Sequence, residues 1–325
     1  MHRGAWERFD HVLVLRNPVS THASRGKAYI AELRNVFRGI AVHVINTKSG
    51  GAEPNRKLLR SLAPKLGPRT LLCVASGDGT VSMVIEALLT DPDMPKYAHE
   101  TVILPLWTGN ANDLAHMLNG PAYRNRLRAV LESGKVVQIR PMVCMLTGRD
   151  GTVQNKMAAC YASFGATAFA TERLSQDDMR SSVLHKVPGI GFLTEFITGF
   201  KAAVHAPFFR LEERGAERVV YERVYMNGSR FAKVERLPLR LTDDAFLEHT
   251  LTERNLTTVF SQLWRAMQKS LVDRFRVDQS EFVVRERVAA QFDGELMDVA
   301  AGTQVRLYVS PLPFYALSLL LESAG

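Results

Sequence analysis

The texture of this chain changes once, near residue 136, and that change limits the folds open to it more than any single motif does. Before it, short β-rich runs alternate with stretches of helical periodicity. His11–Arg16, Ala41–Asn46, Thr70–Ala75 and Thr101–Leu106 read as strands, and Gly26–Arg38, Pro54–Leu66, Val81–Leu89 and Tyr123–Ser133 as helices. Repeated strand, loop, helix order argues an open, mostly parallel α/β sheet. After it, short β-rich runs dominate: Val136–Ile139, Val143–Thr147, Met157–Ser163, Arg218–Met226, Leu237–Leu241, Phe275–Val277, Phe282–Arg285 and Val305–Val309. Asp150-Gly151, Asn227-Gly228 and Asp293-Gly294 supply turns between several of them, the pattern of an antiparallel sandwich or barrel. One helical insert, about Gly191–Ala203, interrupts this half.

A chain of 325 residues exceeds one ordinary core, so two domains are expected. The boundary is expected at 137/138, between a nucleotide-binding α/β domain over residues 1–137 and a β-sandwich over 138–309 for the substrate, with about 310–325 free to pack back onto the first domain. Cys73, Cys144 and Cys160 sit in apolar strand-like contexts without metal-ligand spacing, and read as free thiols of a reducing cytosol. The polar stretch Met1–Asp10 argues against a secretory leader, and no apolar run has the length of a membrane span. The net charge of +8 favours an anionic partner, a nucleotide or an acidic membrane surface. The basic residues are dispersed, without a nucleic-acid motif, so nucleic acid is not expected.

The sharpest local feature is Ser76-Gly77-Asp78-Gly79-Thr80, between a strand and a helix. Two glycines let the backbone turn tightly and approach a bulky anion, and the helix N-terminus behind them offers amides and a positive dipole end. Asp78 would repel phosphate unless it meets Mg²⁺. The plain alternative is a tight turn with Asp/Thr capping. Asp293-Gly294-Glu295 is likewise read first as a hairpin turn between apolar runs.

Four segments in order carry a resemblance: Asn17-Pro18-Val19-Ser20, Ser76 through Thr80, Pro105 through Ala115 (PLWTGNANDLA), and Asp293-Gly294-Glu295. Together they resemble the lipid kinase family that contains diacylglycerol, sphingosine and ceramide kinases. The chain departs from it at Ser76, Thr21, Met83 and Trp107, and in extra residues before Asn112-Asp113. The resemblance implies an N-terminal Rossmann-like domain, a C-terminal antiparallel β-sandwich and an active site in the cleft between them. It implies ATP-dependent, Mg²⁺-assisted phosphorylation of a lipid hydroxyl, diacylglycerol-like or sphingoid-like, by a cytoplasmic protein in peripheral contact with a membrane. By carry-over, Asn17, Thr47, Ser76, Gly77, Asp78, Gly79, Thr80, Val81, Ser82, Thr108 and Asn110 would lie on the nucleotide. Glu295 would be the proton acceptor, with Asp293 its partner through Mg²⁺ and water; the opposite assignment stays open. Asp78 would meet the catalytic Mg²⁺. The segment around Asp244 resembles one that holds a structural Mg²⁺ with the carbonyls of Leu241 and Phe246, although a plain acidic turn explains it as well. Two alternatives remain open: an NAD kinase-like enzyme, disfavoured because no Asn-Glu pair occurs, and a non-catalytic nucleotide- or lipid-binding relative. An oligomer is compatible with the sequence.

Overall fold

The computed structural model describes residues 5–49, 51–109, 111–121, 124–176, 202, 204–231, 234–235, 241, 243–254 and 276–320. The first sheet is built from β1 (His11–Arg16), β2 (Val42–Asn46), β3 (Thr70–Ala75), β4 (Val102–Pro105) and β5 (Lys135–Ile139). Between them run α1 (Ala23–Val36), α2 (Ala52–Ser61), α3 (Asp78–Thr90), α4 (Asp113–Asn119) and α5 (Arg124–Ser133). Then follow β6 (Met142–Thr147), β7 (Val153–Ala158), β8 (Tyr161–Gly165), α6 (Ala166–Gln176), β9 (Phe209–Glu213), β10 (Ala216–Val220), β11 (Glu222–Met226) and the short pair β12 (Arg230–Phe231) and β13 (Val234–Glu235). The last elements are β14 (Phe246–Leu251), β15 (Arg276–Val277), β16 (Gln279–Val284), β17 (Val288–Phe292), β18 (Glu295–Val299), β19 (Gln304–Val309) and β20 (Phe314–Ser318).

Three six-stranded sheets result. The first has the order β2-β1-β3-β4-β20-β5, parallel except where β5 runs against β20. The chain thus returns at its end to fill the place between β4 and β5, and β5 itself runs through the boundary read from the sequence. The other two sheets, β10-β9-β16-β19-β6-β7 and β15-β14-β11-β8-β17-β18, are antiparallel. The expected plan, an α/β domain with a parallel sheet followed by all-β sheets, is what the chain adopts.

Alternation of side chains along the first sheet makes two cores. Leu13, Leu15, Leu72, Val74 and Ile103 pack on one face against Val84, Ile85 and Leu88 of α3. Val12, Val14, Leu71, Cys73, Val102 and Leu104 pack on the other against α1 and α5. This is why β3 reads as an unbroken apolar run: both its faces are covered. The sandwich has a separate interior, where Phe164, Phe209, Phe246, Phe282 and Phe292 meet between the second and third sheets. The first core does not stop at the first lobe. It continues through Met117 and Leu118 into Tyr161, Val224, Met226 and Leu247 on the outer face of the third sheet. The two lobes thus share one apolar core.

Several expected runs divide differently. Met157–Ser163 is two strands, broken at Ala159 and Cys160, where backbone amides turn to meet Asp293. Arg218–Met226 is broken at Tyr221. Helix α6 begins on a stretch the sequence reading left without an element, and the expected strand at 237–241 and helix at 191–203 lie almost wholly outside the described residues.

Candidate active site

The strand order places the site. β1 lies between β2 and β3, so the connections from its neighbourhood diverge there, and a crevice opens beyond the carboxyl ends of these strands. Three loops enter it: Asn17–Val19 after β1, Thr47–Ser49 with Gly51 after β2, and Gly79–Thr80 after β3. They line a cleft of about 690 Å³ together with Asn55, Met83 and, from the other lobe, Glu295. That volume suits a nucleotide-sized ligand.

Local chemistry explains each loop. The Asn17 Oδ1 accepts the Val19 amide at 3.1 Å and fixes the turn. The Thr47 amide donates to the Arg16 carbonyl at 2.8 Å, extending the β1–β2 ladder to the cleft edge. Asn55, which sequence reasoning missed, shapes the second loop: its Oδ1 accepts the Lys48 amide at 2.8 Å, and its Nδ2 donates to the carbonyls of Lys48 and Gly51 at 3.0 and 2.7 Å. A polar residue one turn into α2, after a glycine, was the available signal. In the third loop Ser76 Oγ donates to Thr80 Oγ1 at 2.7 Å. This satisfies the Thr80 oxygen as acceptor and leaves its hydrogen free to donate toward the cleft.

Close backbone approaches account for two glycines. A Cβ on Gly109 would sit 2.4 Å from the Gly77 Cα, so the loops after β3 and β4 touch backbone to backbone. A Cβ on Gly79 would lie 3.5 Å from the Asp293 carbonyl oxygen and 3.8 Å from the Glu295 amide nitrogen. The acidic hairpin therefore abuts the glycine loop. Its turn has Asp293 at φ 47° and Gly294 at φ 88°, with Phe292 paired to Glu295, a two-residue connection of the kind that matches strand twist. The hairpin reading and the site reading of Asp293-Gly294-Glu295 are both realised in the same residues.

Within that turn the two carboxylates part company. Glu295 faces the cleft and pairs with Lys156 Nζ at 2.7 Å. Asp293 is buried, and its carboxylate accepts four donors: the amides of Ala159, Cys160 and Tyr161 at 2.6, 3.0 and 2.8 Å, and the Ser82 hydroxyl. Burial pushes its pKa up to about 6, against the pull of those donors. An oxygen pair so fully engaged does not fit a direct metal ligand; where a partner role through Mg²⁺ and water was expected, the contacts make the Asp293 carboxylate a tie between α3, the β7–β8 turn and the hairpin.

Asp78 also departs from expectation. Its carboxylate accepts the amides of Asp113 and Leu114, at the start of α4, and it is absent from the cleft lining. Burial, with the neighbouring charges of Asp113 and Asp293, raises its pKa to about 7. Among the described residues no group of three His, Cys, Asp or Glu side chains is arranged to hold a metal. The Asp244 carboxylate, expected at a structural Mg²⁺, is largely exposed and accepts Arg140 Nη1 at 3.1 Å. The other two expected ligands are the backbone carbonyls of Leu241 and Phe246, whose side chains are buried in the core shared by the lobes and in the sandwich interior respectively.

Other predicted contacts are corrected by burial. Val81 is a core residue, Ser82 is committed to Asp293, and Thr108 is buried with its hydroxyl toward the Ser76 carbonyl at 3.4 Å; none lines the cleft. Ser76 is buried beneath the loop and acts through Thr80. Asn110 lies outside the described residues. Trp107, one of the departures from the family pattern, is fully buried behind the loop, meets the Tyr29 ring at a tilt with centroids 6.0 Å apart, and donates Nε1–H to the Gly120 carbonyl at 2.9 Å. Asn112, at φ 53°, clasps Gly109 through both side-chain atoms at 2.8 Å.

A sequence model of the diacylglycerol kinase catalytic domain matches residues 11–147, a span that runs from β1 through β6 and contains the three cleft loops of the first lobe. No curated protein matches the chain significantly. Among solved structures the fold is similar to that of a diacylglycerol kinase from Bacillus anthracis, at 15% identity and TM-score 0.61 over 96% of this chain and 98% of that one. It is also similar to yeast NADH kinase in complex with NADH, at 11% identity and TM-score 0.53 over 95% of this chain and 83% of that one. These likenesses extend over both lobes, whereas the sequence match covers β1 through β5 of the first lobe and only β6 of the second.

Proposed function

We propose that this chain, whose residues 11–147 match a diacylglycerol kinase catalytic domain, transfers the γ-phosphoryl group of ATP to a hydroxyl group of a lipid. One observation carries the reading: Gly79 and Thr80 of the glycine loop at the N-terminus of α3 and Glu295, more than 200 residues apart in the chain, line the same cleft.

Phosphoryl transfer asks a protein for positioning and charge stabilisation, and for a base near the acceptor oxygen. The first-turn amides and dipole of α3, with the Thr80 hydroxyl, suit the phosphates. Asn17, Thr47 and the loop ordered by Asn55 suit the remainder of the nucleotide. Glu295 suits the base, being the carboxylate residue of the cleft lining. The acceptor oxygen forms its bond to phosphorus as the bond to the bridging oxygen of ADP breaks, and its proton passes to Glu295. ATP enters as its Mg²⁺ complex in this reading; the misfit of Asp293 means no step is assigned to a protein-held metal.

No helix of the described residues is long and apolar enough to cross a membrane, so a lipid acceptor would be met at a surface, where a net charge of +8 attracts anionic lipid. The test is incubation with γ-labelled ATP and, in separate arms, fractionated lipids and NAD. Label on a lipid fraction supports the proposal. Label on NAD alone would replace the acceptor class, as the likeness to NADH kinase allows, and label on neither would leave phosphoryl transfer without support.

A further inference from the structure

Lys156 was no part of the sequence-derived site, yet it holds the residue on which the proposed chemistry turns. It lies on β7, the edge strand of the second sheet, and Glu295 opens β18, the edge strand of the third. The two side chains meet at 2.7 Å across the open edge of the sandwich, where α3 packs. Lys156 is 8% exposed. Glu86, buried on α3, is close enough for its carboxyl to feel both: burial raises its pKa most, Arg56 and Lys156 lower it, and Glu295 raises it. Arg56 pairs with Glu86 from the other side. Two acids and two bases thus form one neutral group, made of α2, α3, β7 and β18.

This arrangement poses a problem for a base. A base needs an oxygen open to the acceptor hydroxyl, and here Glu295 Oε1 is occupied by the Lys156 ammonium at 2.7 Å. The nucleotide supplies another anion. Lys156 does not itself line the cleft, but the Glu295 amide lies against Gly79 of the phosphate loop, so a single Glu295 side chain separates the ammonium from that loop. A lysine carries three donors on a flexible four-carbon stem, and can exchange one anionic partner for another by a small swing.

We infer that Lys156 passes from Glu295 to the γ-phosphoryl group of the bound nucleotide, so that the anion entering the cleft frees the carboxylate that serves its transfer. This rests on the reading of the cleft as a phosphoryl-transfer site. Lys156 remains protonated throughout. The acceptor proton goes to Glu295, the new oxygen–phosphorus bond replaces the one to ADP, and the ammonium stays with the phosphoryl oxygens.

The experiment is direct binding of ATP and ADP, each with Mg²⁺, to the full chain and to Lys156→Gln, Lys156→Arg and Glu295→Gln, by calorimetry. Only ATP offers the γ-phosphoryl group, so the affinity ratio isolates the contact from general folding effects. The wild type should prefer ATP, Lys156→Gln should lose about tenfold of that preference, and Lys156→Arg should keep most of it. Glu295→Gln frees the ammonium beforehand, and should raise the preference above the wild-type ratio. An unchanged ratio in Lys156→Gln would overturn the inference while leaving the nucleotide site standing. If Lys156→Gln fails to melt cooperatively, Glu295→Gln decides: a ratio no higher than wild type overturns it. Absence of any nucleotide binding by the wild type would instead remove the reading beneath it.

Discussion

The Ser82 hydroxyl donates to the Asp293 carboxylate, joining the first turns of α3 to the hairpin between β17 and β18 across 211 residues of chain. This bond, with three amides from the β7–β8 turn on the same carboxylate, ties together the phosphate loop, the sandwich and the acidic hairpin. Asp293 sets the geometry through which Glu295 reaches the cleft.

That role is measurable as stability. Ser82→Ala removes one of four donors and should cost about 1–2 kcal/mol. Asp293→Ala strands three buried amides and should cost more, about 3 kcal/mol or above. Urea denaturation midpoints check both; a neutral Asp293→Ala would show that water replaces the carboxylate without loss.

Glu295→Gln keeps the shape of the side chain and its place beside Gly79 but removes the proton acceptor. Turnover should fall by about 10²-fold or more while ATP still binds. Single-turnover transfer of labelled phosphate measures this, and near-normal transfer would assign the base elsewhere.

Gly109→Ala puts a methyl group 2.4 Å from the Gly77 Cα, where backbone rather than a flexible side chain must yield. The loops after β3 and β4 should separate, at a cost of about 1–3 kcal/mol, with weakened nucleotide binding. Equal thermal stability and ATP affinity in the variant would mean that the contact is softer than the geometry indicates.

Glu222 provides a pH test remote from the site. It is buried on β11, accepts the Thr167 amide at 2.8 Å through Oε2, and has no partner at Oε1. Burial raises its pKa to about 8. From its ordinary value of 4.5 up to about 8 the folded state holds the proton and the unfolded state does not, so rising pH removes stability across that window. Below the window both states are protonated, and above it both are ionised and the cost is constant. Glu222→Gln lacks this slope. Its stability relative to wild type should rise with pH by a few kcal/mol in all, then level off above about 8. A flat difference between the two denaturation series would show that Glu222 ionises normally.

Much of the cleft's first wall was legible in the chain. The apolar run Thr70–Ala75 and the glycine turn after it became β3 and the start of α3 at almost the expected places, because strand burial, turn chemistry and helix capping depend on near neighbours. Asn17 and Thr47 reached the cleft for the same reason, each being the first polar residue beyond a strand of the parallel sheet.

What local sequence determined about this protein is its order of elements, the doubly covered first sheet, the turn at Asp293-Gly294 and the glycine loop at a helix start. Which carboxylate faces the cleft was decided only by tertiary structure. In sequence Asp293 and Glu295 are equivalent acids at one turn; in the fold one meets four buried donors and the other meets Lys156 at the open edge of the sandwich. The same holds for Asp78, drawn to the amides at the start of α4, and for Ser82 and Lys156. A side chain's charge and hydrogen-bonding role is set by whichever groups lie within a few ångströms of it, and here those groups come from strands and helices tens to hundreds of residues away.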